Sequence, residues 1–419
     1  MGKTVWFFNH YANEPETGSS LRHFYLAKHL ADLGWQPIIF AASTIHQTNV
    51  NLIEDNALYR TKRIGEVQFV FVKTRNYQGN GRSRVINMVD YVRSCLKTAP
   101  LFDTPSAIIA SSVHPLSWYL GRRFSKKYDA PWICEVRDLW PESLIEYGML
   151  KRESLLTKIV RKYEYAAYKK SDAVVFTMPG GSSYVAEMGW QNDVPKEKLH
   201  WISNGIDLNR FSYEAGNFIW KDAELSDESY FRLLYCGSIG ESDSLDCFLD
   251  AMKTLQNEGI RDIRLFIYGD GPRRDGLMEK CTQESIDEVY FRGRVEKKYI
   301  PSLVCRSDAN ILSVQRTGLL KYGCSFNKLY DYLAAGKPII SNVMPTNNDL
   351  RDADCCAAPP SPETPLANTI RSVYLQPKSE RSDTGRRARL LAEDYDFRKL
   401  AGKLACILDE ACNKRSKEI

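Results

Sequence analysis

The chain has 419 residues, of which 43% are hydrophobic and 26% charged, and its formal net charge is +5. This length exceeds what one hydrophobic core usually organises, so we expect two domains. The composition is that of a globular protein and excludes a disordered or fibrous chain. The positive charge is too small, and the basic residues too dispersed, to indicate a nucleic-acid-binding protein.

The cysteines and the apolar runs indicate where the protein works. The eleven cysteines are scattered, and no Cys-x-x-Cys pair provides the spacing of a zinc or thioredoxin-like site. The apolar run at 4–8 is too short for the core of a signal peptide, and no run reaches the roughly 18 apolar residues of a spanning helix. We therefore expect a cytoplasmic protein with reduced thiols, either free or peripheral on the cytoplasmic face of the inner membrane.

Short apolar runs alternate with helical patterns along the chain, and the alternation restarts after Phe211. It predicts an α/β fold of two Rossmann-like domains facing a central cleft, with ligands beyond the carboxyl ends of the strands. The domain bounds are predicted at 1–207 and 208–390, with a linker at 208–217 and a helical tail at 391–419 that packs back toward the first domain. The predicted strands are 4–8, 36–41, 67–72, 107–110, 132–136, 173–177, 233–236, 265–268, 289–291, 309–312 and 338–341, and the predicted helices include 21–33, 154–170, 245–256, 273–281 and 326–335.

The densest motif is the segment SFNKLYDYLAAGKP, which runs from Ser325 to Pro338. Its large apolar residues follow the i, i+3, i+4, i+7 spacing of a helix with one buried stripe. We expect Ser325 to be the N-cap and Gly336 to follow the last turn. The stripe consists of Phe326, Leu329, Tyr330 and Leu333.

The polar residues of this helix suit a nucleotide. Asn327 and Asp331 are four residues apart on another face, with Lys328 beside them. A lysine at a helix N-terminus suits a diphosphate, and a carboxylate one turn later can accept hydrogen bonds from ribose hydroxyls. The alternative is an ordinary amphipathic helix with solvated polar residues.

The motif resembles the donor-site helix of retaining glycosyltransferase family 4, of the GT-B type. More narrowly, it resembles the branch that builds O-antigen, capsule and colanic-acid-type polysaccharides. Five other blocks resemble the same family in the same order over nearly the whole chain. These blocks are 14–20, 135–143, 203–207 with Phe211, 235–240 and 268–272.

The resemblance implies an acceptor-binding domain at 1–207 and a nucleotide-sugar-binding domain at 208–390. It implies the following site residues: catalytic His114, Asp138 and Lys328; donor-binding Gly237, Ser238, Arg316, Asn327, Lys328 and Asp331; and an acceptor or phosphate loop with Gly18, Ser19 and Arg137.

The sequence departs from the family pattern at positions that matter for the donor. The two glutamates of the family are replaced by Gly323 and Asp331, so the donor sugar cannot be contacted by a side chain at 323. The arginine and lysine of the first loop of the second domain are replaced by Ser238 and Asp243. A departing diphosphate still needs positive charge. We expect it first from Lys328 and then from Arg316, aided by the amides at 237–240.

Several of these residues also have simpler interpretations. Arg316, like Lys321, is equally consistent with a solvated surface charge. His114 follows a predicted strand and suits a contact with the donor sugar, or a hydrogen bond to backbone. Asp138 suits the orientation of an acceptor hydroxyl or an ion pair with Arg137. Gly18 and Ser19 suit amides that approach a ligand, or a simple helix-start turn.

No cofactor and no metal are expected. Asp352 and Asp354 spell a DxD sequence in a predicted surface loop, which we interpret as a chance occurrence. No HExxH or paired-histidine motif is present. The nucleotide sugar is expected as substrate, not as cofactor, in a metal-independent reaction.

The predicted helix 154–170 combines an apolar stripe with many cations. We interpret the stripe as the face that covers the sheet. Its cations are as consistent with an anionic membrane surface as with water. The stripe consists of Leu155, Ile159, Tyr163 and Ala166.

The sequence therefore predicts a retaining glycosyltransferase of hexosyl or N-acetylhexosaminyl type. Its expected donor is a UDP-sugar, and its expected acceptor is a glycan or a polyprenyl-diphosphate-linked sugar in bacterial surface polysaccharide biosynthesis. Two alternatives remain open. One is a nucleotide-sugar 2-epimerase of the same architecture, and the other is a non-catalytic partner subunit that binds nucleotide sugar.

Overall fold

The computed structural model describes residues 2–16, 20–46, 48–79, 81–112, 114–344 and 346–417. The chain forms two compact units. Unit 1 comprises Met1–Ser203 and Phe397–Ile419, and unit 2 comprises Asn204–Asp396. All eleven cysteines are free thiols, as the scattered spacing predicts. Within the described ranges, no helix combines the length and the hydropathy that crossing a bilayer requires.

Unit 1 is built on an eight-stranded sheet in the order β3-β4-β2-β1-β5-β6-β7-β8. All neighbouring strands are parallel except β3, which pairs antiparallel with β4 at the edge. The central strands are near-continuous apolar runs because helices cover both faces of a parallel sheet. The elements are β1 (Lys3–Phe8), α1 (Arg22–Asp32), β2 (Trp35–Ala42), β3 (Tyr59–Ile64), β4 (Val67–Val72), α2 (Arg82–Thr98), β5 (Ala107–Ser112), α3 (Leu116–Tyr128), β6 (Trp132–Val136), α4 (Glu142–Glu146), α5 (Leu155–Lys170), β7 (Ala173–Phe176), α6 (Gly181–Glu187) and β8 (Leu199–Trp201).

Unit 2 has a six-stranded, wholly parallel sheet in the order β11-β10-β9-β12-β13-β14. The strand order reverses between β9 and β12, which is the kind of position where open α/β sheets bind ligands. The elements are α7 (Leu208–Asn217), β9 (Phe231–Cys236), α8 (Asp246–Asn257), β10 (Ile263–Tyr268), α9 (Arg274–Gln283), β11 (Val289–Gly293), α10 (Ile300–Arg306), β12 (Ala309–Leu312), α11 (Asn327–Ala335), β13 (Ile339–Ser341), α12 (Asn348–Asp352), β14 (Cys356–Ala357), α13 (Leu366–Leu375) and α14 (Lys378–Ala392).

The last helix, α15 (Phe397–Lys417), belongs to unit 1 and packs on α1. The ring of Phe397 stacks on that of Tyr25 with centroids 5.1 Å apart. Leu400, Leu404 and Leu408 are buried in the same core cluster as the first strand and helix. The core of unit 1 is therefore completed by the far end of the chain.

The predicted linker at 208–217 is wrong, because these residues form α7. The Asp207 side chain caps the helix by accepting a hydrogen bond from the Arg210 amide at 3.0 Å. Phe211 is buried on its inner side. Cap and buried residue together specify a helix.

The predicted orientation of α5 is also wrong. Leu155 and Ile159 are 74% and 55% exposed, so the stripe to which they belong does not cover the sheet. The buried face instead carries Glu164, which contacts the hydroxyls of Tyr168 and Tyr184 at 2.7 and 2.8 Å. Burial raises the pKa of Glu164 to about 8, so the neutral form of this side chain is favoured at physiological pH. A charged residue type thus takes a core position that the apolar pattern assigns to leucine and isoleucine.

Candidate active site

The predicted donor helix is α11, and its ends differ in how well the sequence predicts them. Gly336 lies at the C-terminal end in the left-handed conformation, with φ 64°, as expected. The N-cap is Phe326 and not Ser325, so the predicted cap is wrong. The Ser325 hydroxyl instead accepts a hydrogen bond from the Asn204 amide at 2.8 Å, which holds the first residue of unit 2 against this helix.

The buried stripe of α11 is confirmed for three of its four predicted residues, while Phe326 lies at the N-cap and is partly buried. Leu329, Tyr330 and Leu333 are at most 1% exposed and belong to a core cluster of unit 2. The polar residues lie on the other side, where Asn327 is exposed and both Lys328 and Asp331 are partly buried. Outside its buried stripe, the helix therefore carries the three side chains that the sequence associates with a nucleotide.

Lys328 is already engaged by protein groups. Its Nζ donates to Asp243 Oδ1 at 2.5 Å and to the Tyr235 hydroxyl at 2.8 Å. The lysine side chain is 14% exposed and the aspartate 9%. Burial lowers the pKa of Lys328, and the negative charge of Asp243 opposes this effect. Asp243 occupies a position where the family has a cation. It thus forms an ion pair with Lys328, the residue that we expect to supply the positive charge instead.

The loop after β9 is fixed by its backbone. The amides of Gly237 and Ile239 each donate, at 3.0 Å, to backbone carbonyl oxygens in the loop 268–272. A Cβ on Gly269 would lie 1.8 Å from the Gly237 carbonyl oxygen, and one on Gly271 would lie 2.4 Å from that of Ile239. Glycine is required at both positions because the two loops touch through their main chains.

The Asp243 side chain also holds this loop in place through two hydrogen bonds. Its Oδ2 accepts from the Gly240 amide and from the Ser238 hydroxyl, each at 3.0 Å. In the part of the chain that the structure describes, Ser238 is the one residue of 237–240 whose amide has no protein acceptor. The expected set of phosphate-binding amides is therefore reduced to this one.

Asp331 has no hydrogen bond or ion pair within the described ranges. Burial raises the pKa of its carboxyl to about 6. The positive charge of Lys297 lowers this pKa, and the negative charge of Glu214 raises it. Lys297 is a neighbour that the motif analysis missed, because it lies some thirty residues earlier in the chain. An unengaged carboxylate at this edge is free to accept hydrogen bonds from a ligand.

The other predicted cations of unit 2 lie differently. Arg316 is exposed, and its Nη2 donates to the Asn342 carbonyl at 3.0 Å. Lys321 lies over the ring of Tyr322 at 4.9 Å. Gly323 has φ 86°, a conformation that suits glycine and explains its presence without a role toward a sugar. The structure thus brings together Gly237, Ser238 and Lys328, while Arg316 contacts the backbone after β13.

In unit 1, His114 follows β5 and forms a buried histidine pair. Its Nε2 lies 2.7 Å from His10 Nδ1, and both rings are at most 1% exposed. Burial, with a smaller effect from Arg84, lowers the pKa of His114 to about 3, and burial also holds the pKa of His10 well below its usual range. Both imidazoles are therefore neutral. Within the described ranges the outer ring nitrogen of His114, Nδ1, has no hydrogen-bond partner.

Arg137 and Asp138 follow β6, the neighbour of β5. The Arg137 amide donates to the Ser112 hydroxyl at 3.1 Å, which links the ends of the two strands. Asp138 is exposed, and the described residues show no ion pair between it and Arg137. Its carboxylate is available to a ligand. Gly18 and Ser19 lie outside the described residues.

A buried ionic network beneath this edge was missed by the sequence reasoning. Glu135 Oε1 accepts from Arg22 Nε and Nη2 at 3.0 and 2.8 Å, and its Oε2 accepts from His23 at 2.7 Å. Burial raises the pKa of Glu135, but the positive charge of Arg22 and the interactions with His23, which include a hydrogen bond, outweigh it and hold this pKa well below its usual range. Arg22 also donates to the carbonyls of Ile202, at 2.9 Å, and Ser203. The network therefore links α1 to Ile202 and Ser203, the last residues of unit 1 before unit 2 begins.

Metal ligands do not converge in the described structure, where no group of three or more His, Cys, Asp or Glu side chains could hold an ion. Asp352 ends α12, and Asp354 pairs with Arg387 at 3.2 Å. The ion pair with Arg387 therefore gives Asp354 a structural role.

Two glycosyltransferase family models match the chain, one in each unit. The model for Glycosyltransferase Family 4 matches residues 18–210, and the model for Glycosyl transferases group 1 matches residues 230–375. Together they account for most of both sheets and for α11.

Individual relatives are distant. The chain is 24% identical to the probable glycosyltransferase WbjE of Pseudomonas aeruginosa over 50% of each chain. It is 25% identical to a GDP-mannose-dependent alpha-(1-6)-phosphatidylinositol dimannoside mannosyltransferase of Mycobacterium tuberculosis, over 42% of this chain and 43% of the relative. The matches thus span half or less of the length of these curated relatives.

The fold itself is shared with solved structures. The Anabaena protein HepE, solved in complex with UDP-glucose, superposes with a TM-score of 0.65 at 12% identity, covering 97% of this chain and 99% of that one. Two successive glycosyltransferase domains on two parallel α/β sheets place this protein among the glycosyltransferases of the GT-B fold.

Proposed function

We propose that the protein is a retaining glycosyltransferase that moves a sugar from a nucleotide sugar to a hydroxyl of a glycan or lipid-linked glycan. The unengaged carboxylate of Asp331, one turn after Lys328 at the carboxyl edge of the unit 2 sheet, is the observation that carries this proposal. A UDP-sugar is the proposed donor and bacterial surface polysaccharide the proposed product. HepE in complex with UDP-glucose supports the first, and the likeness to WbjE supports a transferase.

The proposed roles follow from charge and exposure. Asp331 accepts hydrogen bonds from the ribose hydroxyls of the donor. Lys328 meets the diphosphate, which competes with Asp243 for its ammonium group. As the bond between the anomeric carbon and the diphosphate breaks, negative charge grows on the diphosphate and Lys328 stabilises it. The acceptor oxygen bonds the anomeric carbon on the same face, and its proton leaves with the diphosphate.

The residues of unit 1 are proposed to act on the sugars. Neutral His114 offers one ring nitrogen, either as donor or as acceptor, because its other nitrogen is occupied by His10. Asp138 is exposed and accepts a hydrogen bond from the acceptor hydroxyl, which it orients. No resident metal or cofactor is part of the proposal.

Asp331→Asn tests the donor site directly. The variant should bind UDP and UDP-sugars about 10- to 100-fold more weakly, because hydrogen bonds to a charged acceptor are each worth about 1.5–3 kcal/mol. A thermal-shift titration with UDP, GDP and their sugars measures this loss, since ligands that bind the native state raise the melting temperature. Asp275→Asn, at a side chain that is 96% exposed, is the matched control.

The same variant should be more stable than the wild type without ligand. The folded-state pKa of Asp331 lies above its ordinary value of 3.8, so ionising the carboxyl destabilises the folded protein. This penalty is absent below about pH 4 and complete above about pH 6, where removing the charge should gain about 2–3 kcal/mol. An unchanged UDP affinity in Asp331→Asn would overturn the donor-site assignment. If GDP and not UDP raised the melting temperature, the proposed donor would be a GDP-sugar instead of a UDP-sugar.

The Lys328–Asp243 pair favours one second candidate, a non-catalytic subunit that binds nucleotide sugar. An ion pair leaves little net positive charge for a departing diphosphate. If Lys328→Ala and Asp331→Ala leave polysaccharide assembly intact in cells, this candidate is favoured and the assignment of both residues to the transfer site fails.

A further inference from the structure

Five large hydrophobic side chains lie exposed within thirteen residues of unit 1. They belong to the end of α4, the segment after it and the first turns of α5. We call them the apolar patch. Its members are Tyr147, Met149, Leu155, Leu156 and Ile159, which are 49, 56, 74, 55 and 55% exposed.

Hydrogen bonds and ion pairs of neighbouring residues hold in place the segments that carry the apolar patch. Ser154 Oγ accepts from the Thr157 amide at 3.2 Å, and Thr157 Oγ1 donates to the Lys151 carbonyl at 2.8 Å. Glu142 pairs with Arg152 at 3.1 Å and with Arg161, which joins α4, the segment and α5. The exposed side chains are therefore displayed by an ordered framework.

Cations are interleaved with the apolar patch. Lys158 follows Leu155 by three residues and Lys162 follows Ile159 by three, so each lysine lies beside an apolar side chain on the outer face of α5. Neither lysine has an ion pair among the described residues. Residues 146–162 carry five cations and two acids, Glu146 and Glu153, so the net charge of this face is positive.

We propose that the apolar patch and its lysines bind an anionic phospholipid surface. Apolar side chains on one face of a helix bury themselves at the boundary of headgroups and acyl chains, and neighbouring lysines contact lipid phosphates. A second copy of the chain fits less well, because a two-fold interface would bring two copies of the same positively charged face together. The patch would bring the transferase to a lipid-linked acceptor, but its binding to lipid does not depend on the transfer reaction.

Vesicle sedimentation of the full-length protein, without donor or acceptor, tests the proposal. The wild type should sediment with vesicles that contain phosphatidylglycerol and much less with pure phosphatidylcholine. Lys158→Gln/Lys162→Gln should weaken binding about fivefold for each lysine removed. Leu155→Ser/Ile159→Ser should weaken it about tenfold or more. The matched control is Leu375→Ser/Leu390→Ser, at positions of unit 2 that are 68% and 52% exposed.

The four substituted residues, Leu155, Lys158, Ile159 and Lys162, are exposed, so the variants should keep the wild-type circular dichroism and melting temperature. Equal vesicle binding by wild type and patch variants overturns the proposal, as does an absence of binding to anionic vesicles. A wild-type dimer in light scattering that Leu155→Ser/Ile159→Ser converts to a monomer would assign the patch to a second copy instead. Loss of UDP binding in Asp331→Asn is a separate result, so the two proposals fail independently.

Discussion

Lys328→Met should lower kcat/KM for glycosyl transfer by about 100-fold or more, the range seen when one group that stabilises a developing negative charge is removed. The reason is that Lys328 is the one cation on α11 and that it lies against the loop 237–240 after β9. The effect should appear in kcat as well as in KM, because the charge on the diphosphate is greatest as the bond breaks. Initial rates over a range of donor concentrations measure both.

The ion pair predicts a second effect of this substitution. Removing Lys328 leaves Asp243, which is 9% exposed, without its cation. An uncompensated charge of this kind should destabilise the protein by about 2–4 kcal/mol in denaturant unfolding. Asp243→Asn keeps an oxygen for Ser238 and Gly240 while freeing Lys328, so it should bind UDP more tightly than the wild type.

The double variant Lys328→Met/Asp243→Asn separates the two effects. It should recover most of the lost stability and none of the lost activity. Lys253→Met, at a 39% exposed lysine of unit 2, is the matched control and should keep both. Full activity in Lys328→Met would show that the diphosphate is held elsewhere, and Arg316 would then be the residue to test.

Glu135→Ala should destabilise unit 1 by about 3–5 kcal/mol, as expected when one member of a buried ionic network is removed. The carboxylate accepts from both Arg22 and His23, and all three side chains are at most 3% exposed. Without it, the acceptors of the Arg22 guanidinium among the described residues are the backbone carbonyls of Ile202 and Ser203. Hydrogen exchange measured on the full-length protein should show faster exchange in α1 and in the residues before Ser203.

The pH dependence of this network has a definite sign. The folded-state pKa of Glu135 is held below its ordinary value of 4.5, so its stabilisation is complete above that pH and is lost as the pH falls further. Glu135→Ala should therefore cost least in acid. Glu66→Ala, at a 74% exposed side chain of unit 1, should change stability by less than about 0.5 kcal/mol. A similar small effect from Glu135→Ala would contradict the network.

The strands of both sheets could be predicted from the sequence because buried parallel strands are short apolar runs. The predicted strands at 67–72, 132–136 and 309–312 have the bounds of β4, β6 and β12. The edge strand β3 was missed, since its sequence YRTKRI consists of half-buried and exposed residues and carries no apolar run. Local patterns thus predict what lies in the middle of a sheet better than what lies at its edge.

The site was predicted less completely because its chemistry depends on partners that are distant in sequence. The spacing in α11 places Asn327 and Asp331, with Lys328 beside them, on a face other than the buried stripe, and in the structure all three lie outside that stripe. It cannot predict that Asp243, some eighty residues earlier, neutralises Lys328. The same reason hides the pair His10–His114, whose members are 104 positions apart. Burial of Glu164 under two tyrosines likewise reversed the predicted orientation of α5.

The placement of α15 has a consequence for synthesis. Unit 1 cannot bury the outer side of α1 until residues 397–417 leave the ribosome, and the whole of unit 2 is made in between. At 5–20 residues per second, this interval lasts roughly 10–40 s. During that time an apolar groove on the nascent unit 1 is open to chaperones and to aggregation. Unit 2, which is continuous in sequence, is able to complete its own core first, so the second half of the protein matures before the first.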